Sequence, residues 1–198
     1  NPEEVALWKR ITKESLEEFE KFYALFNIHH DFVIGESFYA KRGNELVDDG
    51  LSRGALEMHE GAASFRIGED WFVVRKSDGS TIYATRDLAA IEYRVKTMKA
   101  DRIVYVVGQE QSDYFRKLFA TARALGIDDG AKLIHVPLGF FLNAETKKKL
   151  SSREGAESVH RLIEEATKYF ASYGENAEKV AIGSVVFNEV KKEPRFPL

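Results

Sequence analysis

Residues 102 to 142 alternate between two patterns that few architectures accommodate together. Arg102 to Gly108 is a nearly pure apolar run, rich in β-branched residues, of the kind buried on both faces of a sheet. Phe115, Leu118, Phe119 and Ala122 then recur at helical spacing behind Ser112, a helix-start residue, and Gly126 closes that segment. Lys132 to Leu142 returns to the extended pattern. Upstream, a helix expected from Thr85 carries Leu88, Ile91, Val95 and Met98 at the same spacing. Strand and helix in strict alternation predict an α/β fold around a parallel, doubly wound sheet.

The flanking segments read as additions to that core. Asn1 and Pro2 look like the cap and first turn of one helix, and Ser15 with Glu18 forms a capping box for a second that carries Leu16, Phe19, Tyr23 and Phe26. Asp31 to Tyr39 is expected as a strand feeding a loop with Glu36 and Ser37, and residues 44 to 54 as a short helix ending at Gly54. Two antiparallel pairs follow: Ala55–Glu60 with Ala62–Ile67 through Gly61, and Trp71–Lys76 with Ser80–Tyr83 through Asp78 and Gly79, a strong hairpin signal. After a Lys-rich loop, helices are expected from Ser158 to Tyr173, stopped by Gly174, and from Ala177 to about Lys192, stopped by Pro194. The expected organisation is a helical lead-in over 1–30, an α/β core over 31–143 with an antiparallel patch at about 55–83, a loop over 144–155 and a helical segment over 156–198.

Composition removes several function classes. The absence of cysteine excludes a disulfide framework and thiolate metal sites, and fits a reducing, cytoplasmic setting. No apolar run reaches membrane-spanning length, so no membrane partner is expected. A net charge of −3 gives no general attraction for nucleic acid, so any RNA contact must be local. His29 and His30 are adjacent and point apart in an extended chain, and His59, His135 and His160 have no partner at ligand spacing, so no metal site is expected. The sequence has no nucleophile triad, dinucleotide fingerprint or Walker-type loop.

In open parallel sheets, ligands bind beyond the carboxyl ends of the strands, which directs attention to Glu36, the turn from Tyr83 to Asp87, the turn from Gly108 to Gln111, and the 145–155 loop. Read locally, each has an ordinary explanation. Thr85 caps a helix, Asp87 favours the positive end of its dipole, Arg86 faces water, and Lys147 to Arg153 is a solvated basic run. The same basic, hydroxyl-rich run also suits phosphate oxygens.

Taken in order, the segments resemble arginyl-tRNA synthetases. The similarity runs through Gly35–Tyr39 (GESFY), Arg75–Asp87 (RKSDGSTIYATRD), Ala100–Gln111 (ADRIVYVVGQEQ), Phe115–Phe119, His135–Gly139 and Lys149–Gly155, nearly the whole chain. YATRD followed by VGxxQ is its most specific part. The resemblance implies the second half of a class I synthetase nucleotide-binding fold, Rossmann-like, with parallel strands, a small antiparallel insertion and C-terminal helices. It implies that Glu36, Tyr83, Asp87 and Gln111 hold the arginine substrate, a role that suits their chemistry. A planar guanidinium takes paired bonds from carboxylates that a lysine ammonium cannot reproduce, a tyrosine ring can lie against its flat face, and Gln111 can bond the substrate's ammonium or carboxylate.

The resemblance further implies ATP contacts by His135, Gly139, Lys149, Leu150, Ser151 and Ser152. Lys149 to Arg153 looks like the KMSKS-type loop, and Lys149, Ser151 and Arg153 are its catalytic candidates. Leu150 stands for Met and Ser152 for the second Lys, with Arg153 and Lys147 or Lys148 nearby to supply charge. The implied partners are L-arginine, ATP with Mg2+ and tRNA(Arg), and no tightly bound cofactor is expected. No HIGH-type motif occurs in these residues. The expectation is therefore a fragment without its HIGH-motif half and anticodon-binding domain, and inactive alone. Two rival readings stand beside it: a non-catalytic synthetase-like module that binds arginine or a nucleotide, and an unrelated nucleotide-binding α/β domain.

Overall fold

The computed structural model describes residues 1–139 and 159–191. They divide into two compact units, one holding Asn1–Val33 and the described part of Leu150–Lys192, the other the described part of Ile34–Lys149. The KMSKS-like segment Lys149–Arg153 and Pro194 lie outside the described residues.

In the first unit, α1 (Pro2–Leu25) is one continuous helix, with the Asn1 side chain accepting from the Glu3 N–H at its start. The expected break at Ser15 does not occur. Arg10–Glu14 (3.9 Å) and Lys13–Glu17 (3.7 Å) span the position at the i,i+4 spacing that supports a helix, and the backbone continues through it. The helices α5 (Val159–Tyr169) and α6 (Ala177–Val190) pack on each other, and Ile163, Ala177 and Ala181 are buried. Between them lies a 3-10 segment, Ala171–Asn176, in which Gly174 takes φ +59°.

The second unit is built on the predicted alternation. Strands β4 (Arg102–Gly108) and β5 (Lys132–Leu138) pair in parallel from Arg102↔Lys132 to Gly108↔Leu138, with α4 (Ser112–Ala124) crossing between them and Gly126 (φ +65°) just after it. Among the described residues the parallel sheet has these two strands only. The Asp31–Gly35 segment is not a strand: no described strand pairs with it, and Phe32 and Val33 are exposed. A strand without a neighbour has no ladder to satisfy its backbone, so the apolar run serves as an extended connection instead. It delivers Glu36 to a 3-10 turn, Glu36–Tyr39, that runs directly into α2 (Ala40–Ser52).

The antiparallel patch also differs from expectation. Three strands, β1 (Glu57–His59), β2 (Ala62–Ile67) and β3 (Asp70–Arg75), form one sheet in sequence order. Around Asp78-Gly79 the turn forms as predicted, with the Ser80 N–H donating to Asp78 Oδ1 at 2.8 Å, but only one bridge follows, Arg75↔Thr81. The reason lies at Thr85. Its hydroxyl accepts from the Ile82 N–H at 3.0 Å and donates to the Val74 carbonyl, so Ile82 is taken out of the hairpin ladder and α3 (Tyr83–Lys96) begins there. Thr85 thus lies inside the first turn of α3, fully buried, and Ile82 rather than Thr85 occupies the N-cap position.

Helices α2 and α3 approach closely at Gly43, where a Cβ would lie 2.6 Å from the Thr85 carbonyl oxygen. The obstacle is backbone and cannot swing aside. Gly43→Ala is expected to cost about 2 kcal/mol through overpacking, measured by urea unfolding, and an unchanged midpoint would contradict this close contact. The core of the unit gathers Leu46 and Val47 of α2, Leu88 and Ile91 of α3, Leu118 and Ala122 of α4, and Val74 of β3.

A candidate arginine-binding site at the helix N-termini

Two N-terminal turns define the site. On α3, Tyr83, Arg86 and Asp87 fall in the first turn and a half; on α4, the 3-10 turn Gln109–Gln111 follows β4 and leads into Ser112–Tyr114. Both turns present the positive end of a helix, which favours carboxylates nearby. The Ser112 hydroxyl donates to the Gln109 carbonyl at 2.6 Å, bracing the turn, and Gln111 rather than Ser112 occupies the cap position.

Glu36 reaches this place because its 3-10 turn is pinned to α3 by aromatic contacts. Phe38 and Tyr39 both meet Tyr93 edge-to-face, at ring separations of 5.1 and 5.9 Å. Glu36 Oε2 then lies 3.2 Å from Arg86 Nε, whose guanidinium sits over the Tyr83 ring at 5.2 Å. That Nε is buried and, despite the proximity, is not aligned for a hydrogen bond. Arg86 was expected to face water; it instead presents a guanidinium to two of the residues assigned to a substrate guanidinium.

Asp87 is half-buried, and its Oδ2 accepts a 2.5 Å hydrogen bond from the Tyr114 hydroxyl. Burial pushes the Asp87 carboxyl above the ordinary carboxylate range. The Tyr114 bond and the positive charges of Arg94 and Arg86 pull it back, while Glu36 pushes it up further. Burial, followed by the charge of Asp87, drives the Tyr114 hydroxyl well above its usual range, so it stays a donor. Next to it, Tyr105 accepts from Arg94 Nη1 at 3.0 Å and is pushed up to about 12, chiefly by burial.

Glu36, Tyr83 and Asp87 therefore share one neighbourhood through Arg86 and through their mutual charge. Gln111 lies exposed, three residues before Tyr114 on the same turn. His135 sits within β5, stacked on Phe115 at 4.9 Å, with its Nε2 3.3 Å from the Val107 carbonyl, a bond that requires the proton on Nε2. Gly139 directly follows β5. Tyr114 and Arg94 were not singled out in the sequence. The place of Tyr114 close after Gln111, at a helix start after a strand, was the available signal.

Residues 1–192 match the family model for the catalytic domain of class I (R) tRNA synthetases. The arginine–tRNA ligase of Clostridium kluyveri is 38% identical over 204 residues, covering 96% of this chain and 36% of that protein. The ligase of Ligilactobacillus salivarius is 35% identical over 206 residues, again covering 96% of this chain and 36% of the relative. This chain thus spans about a third of the length of the curated relatives it matches. The fold resembles the arginyl-tRNA synthetase of Plasmodium falciparum (TM-score 0.74, 24% identity, 97% of this chain and 35% of that one). It also resembles that of Thermus thermophilus (TM-score 0.75, 20% identity, 97% and 41%). On the match to the family model over residues 1–192, the chain belongs to the catalytic-domain family of the class I (R) tRNA synthetases.

Proposed function

We propose that this chain is the arginine-recognising second half of the catalytic domain of an arginine–tRNA ligase. The observation that carries the reading is the pairing of two acids, Glu36 and Asp87, at converging helix N-termini, with a guanidinium already lying against one of them. A neighbourhood that accommodates the Arg86 guanidinium between a carboxylate and a tyrosine ring has the chemistry to take a free one. In this reading Asp87 and Glu36 bond the substrate guanidinium, Tyr83 covers it, and Gln111 holds its ammonium or carboxylate.

In the complete ligase, the arginine carboxylate attacks the α-phosphorus of ATP and pyrophosphate leaves. A hydroxyl of the terminal tRNA ribose then attacks the acyl carbon of the arginyl adenylate and AMP leaves. Gly139 stands at the carboxyl end of β5, where open α/β sheets take ligands, and fits an ATP contact. Lys149, Ser151 and Arg153, with Mg2+, are assigned to charge developing on the leaving pyrophosphate, where electrostatic positioning is the main lever.

Chemical-shift mapping tests the reading. Added arginine is expected to move the signals of Glu36, Tyr83, Asp87 and Gln111 together, in fast exchange and saturably. Saturable shifts confined to another part of the chain would contradict it. This chain alone is expected to transfer no arginine to tRNA, and detectable aminoacylation by it would overturn the assignment of the remaining machinery to other parts of the ligase.

A further inference from the structure

We propose that Tyr114 is a positioning residue for arginine recognition: its hydroxyl fixes one oxygen of Asp87 so that the other is presented to the incoming guanidinium. The inference rests on the reading that Asp87 receives the substrate.

The geometry supports it in three ways. First, the 2.5 Å bond joins residues 27 positions apart, on the first turns of two different helices, so it fixes the Asp87 side chain relative to α4 and the Gln109–Gln111 turn. Among the described residues it is the hydrogen bond that the Asp87 carboxylate receives, and it engages Oδ2 alone. Second, the Tyr114 ring is held on two sides, edge-to-face with Phe72 of β3 at 5.6 Å and with Phe115 at 5.2 Å. The hydroxyl therefore has little freedom of its own. Third, a phenol is a neutral donor. A lysine or arginine in its place would hold the Asp87 charge more strongly, but it would set a cation against a cationic substrate. A hydroxyl orients the carboxylate and favours its charged form while leaving that charge for the ligand.

The groups that act on Asp87 here are Glu36 on its 3-10 turn, Arg86 and Arg94 on α3, Tyr105 on β4 and Tyr114 on α4. Burial and Glu36 both favour the protonated carboxyl, which cannot pair with a guanidinium in the same way. Removing the Tyr114 hydroxyl leaves those two influences opposed only by the arginines.

The test is Tyr114→Phe in this chain, which keeps both ring contacts and deletes the donor. The Asp87 carboxyl, followed by carbon-detected NMR, is expected to titrate at a higher pH than in the unsubstituted chain. Arginine affinity by calorimetry at pH 7 is expected to fall about tenfold, the usual effect of losing a hydrogen bond to a charged group. The loss should deepen as pH is lowered and vanish in an Asp87→Asn background. A merely structural tyrosine would change the melting temperature without moving the carboxyl titration. An Asp87 titration that is unmoved by Tyr114→Phe overturns the proposal, whether or not arginine binds. Absence of arginine binding by the unsubstituted chain, alongside a shifted titration, would count against the substrate reading and leave the Tyr114–Asp87 coupling established.

Discussion

Asp87→Asn is expected to lower the affinity of this chain for arginine about 100-fold, the effect of deleting one charged partner of a partly buried ion pair. The substitution is nearly isosteric, and its amide oxygen can still accept from the Tyr114 hydroxyl, which turns the amide NH2 towards the guanidinium, so the loss reports the missing charge and acceptor rather than a change of size. Stability should move the other way or not at all. A carboxyl that burial pushes above its ordinary range destabilises the fold once it ionises, and asparagine carries no such charge. Calorimetric titration with arginine, alongside a thermal melt, separates the two quantities. The same carboxyl sets a pH dependence: arginine affinity is expected to fall as pH drops through a midpoint above the usual carboxylate value. An Asp87→Asn chain that binds arginine as well as the original would remove Asp87 from the recognition set.

The second large effect is on the scaffold. Glu92 of α3 is 9% exposed and takes Arg42 of α2 in a two-point contact, Nε to Oε2 at 2.7 Å and Nη2 to Oε1 at 2.9 Å. Lys96 adds a bond at 2.9 Å. The Arg42 bond is the main cause that holds the Glu92 carboxyl down at about 2, against a burial cost, with Lys96 helping. Glu92→Gln is expected to cost about 2–3 kcal/mol at neutral pH, from about 1.4 kcal/mol per unit of displacement and some screening by the half-exposed Arg42. A depressed carboxyl contributes its full stability above its unfolded value near 4.5 and loses it as pH falls towards about 2. The stability difference between the two proteins should therefore be constant from pH 7 down to about 5 and close progressively below that. Urea unfolding across this range measures it, and a difference that persists at the acid end would show that shape rather than charge holds α2 to α3.

What could be read from the sequence divides along the range of the interactions involved. The β4–α4–β5 alternation was legible because each element announces itself locally, in the apolar run Ile103–Val107 and in the helical spacing of Phe115, Leu118 and Ala122. Long-range partners decided the rest. Asp31–Gly35 has strand composition and, among the described residues, no strand to pair with. The Asp78-Gly79 turn formed, yet Thr85 diverted the returning strand into a helix by bonding Ile82 and Val74 at once, side-chain bonds that hydrophobic patterning does not register. At the candidate site, Glu36, Tyr83, Asp87 and Gln111 could be named from the resemblance, and a turn after β4 was expected on topological grounds. The partners were not legible. Arg86 turns onto Glu36 and Tyr83 because the 3-10 turn brings Glu36 to it, and Tyr114 meets Asp87 because two helix starts converge.

The central claim is selectivity for a guanidinium, and the most direct measurement is a calorimetric titration of this chain with arginine, lysine and citrulline in parallel. Saturable binding of arginine, with lysine and citrulline each at least about 100-fold weaker, is the predicted result, because lysine cannot make the paired bonds and citrulline lacks the charge. Comparable binding of all three would contradict it, since neither acid would then be reading a guanidinium.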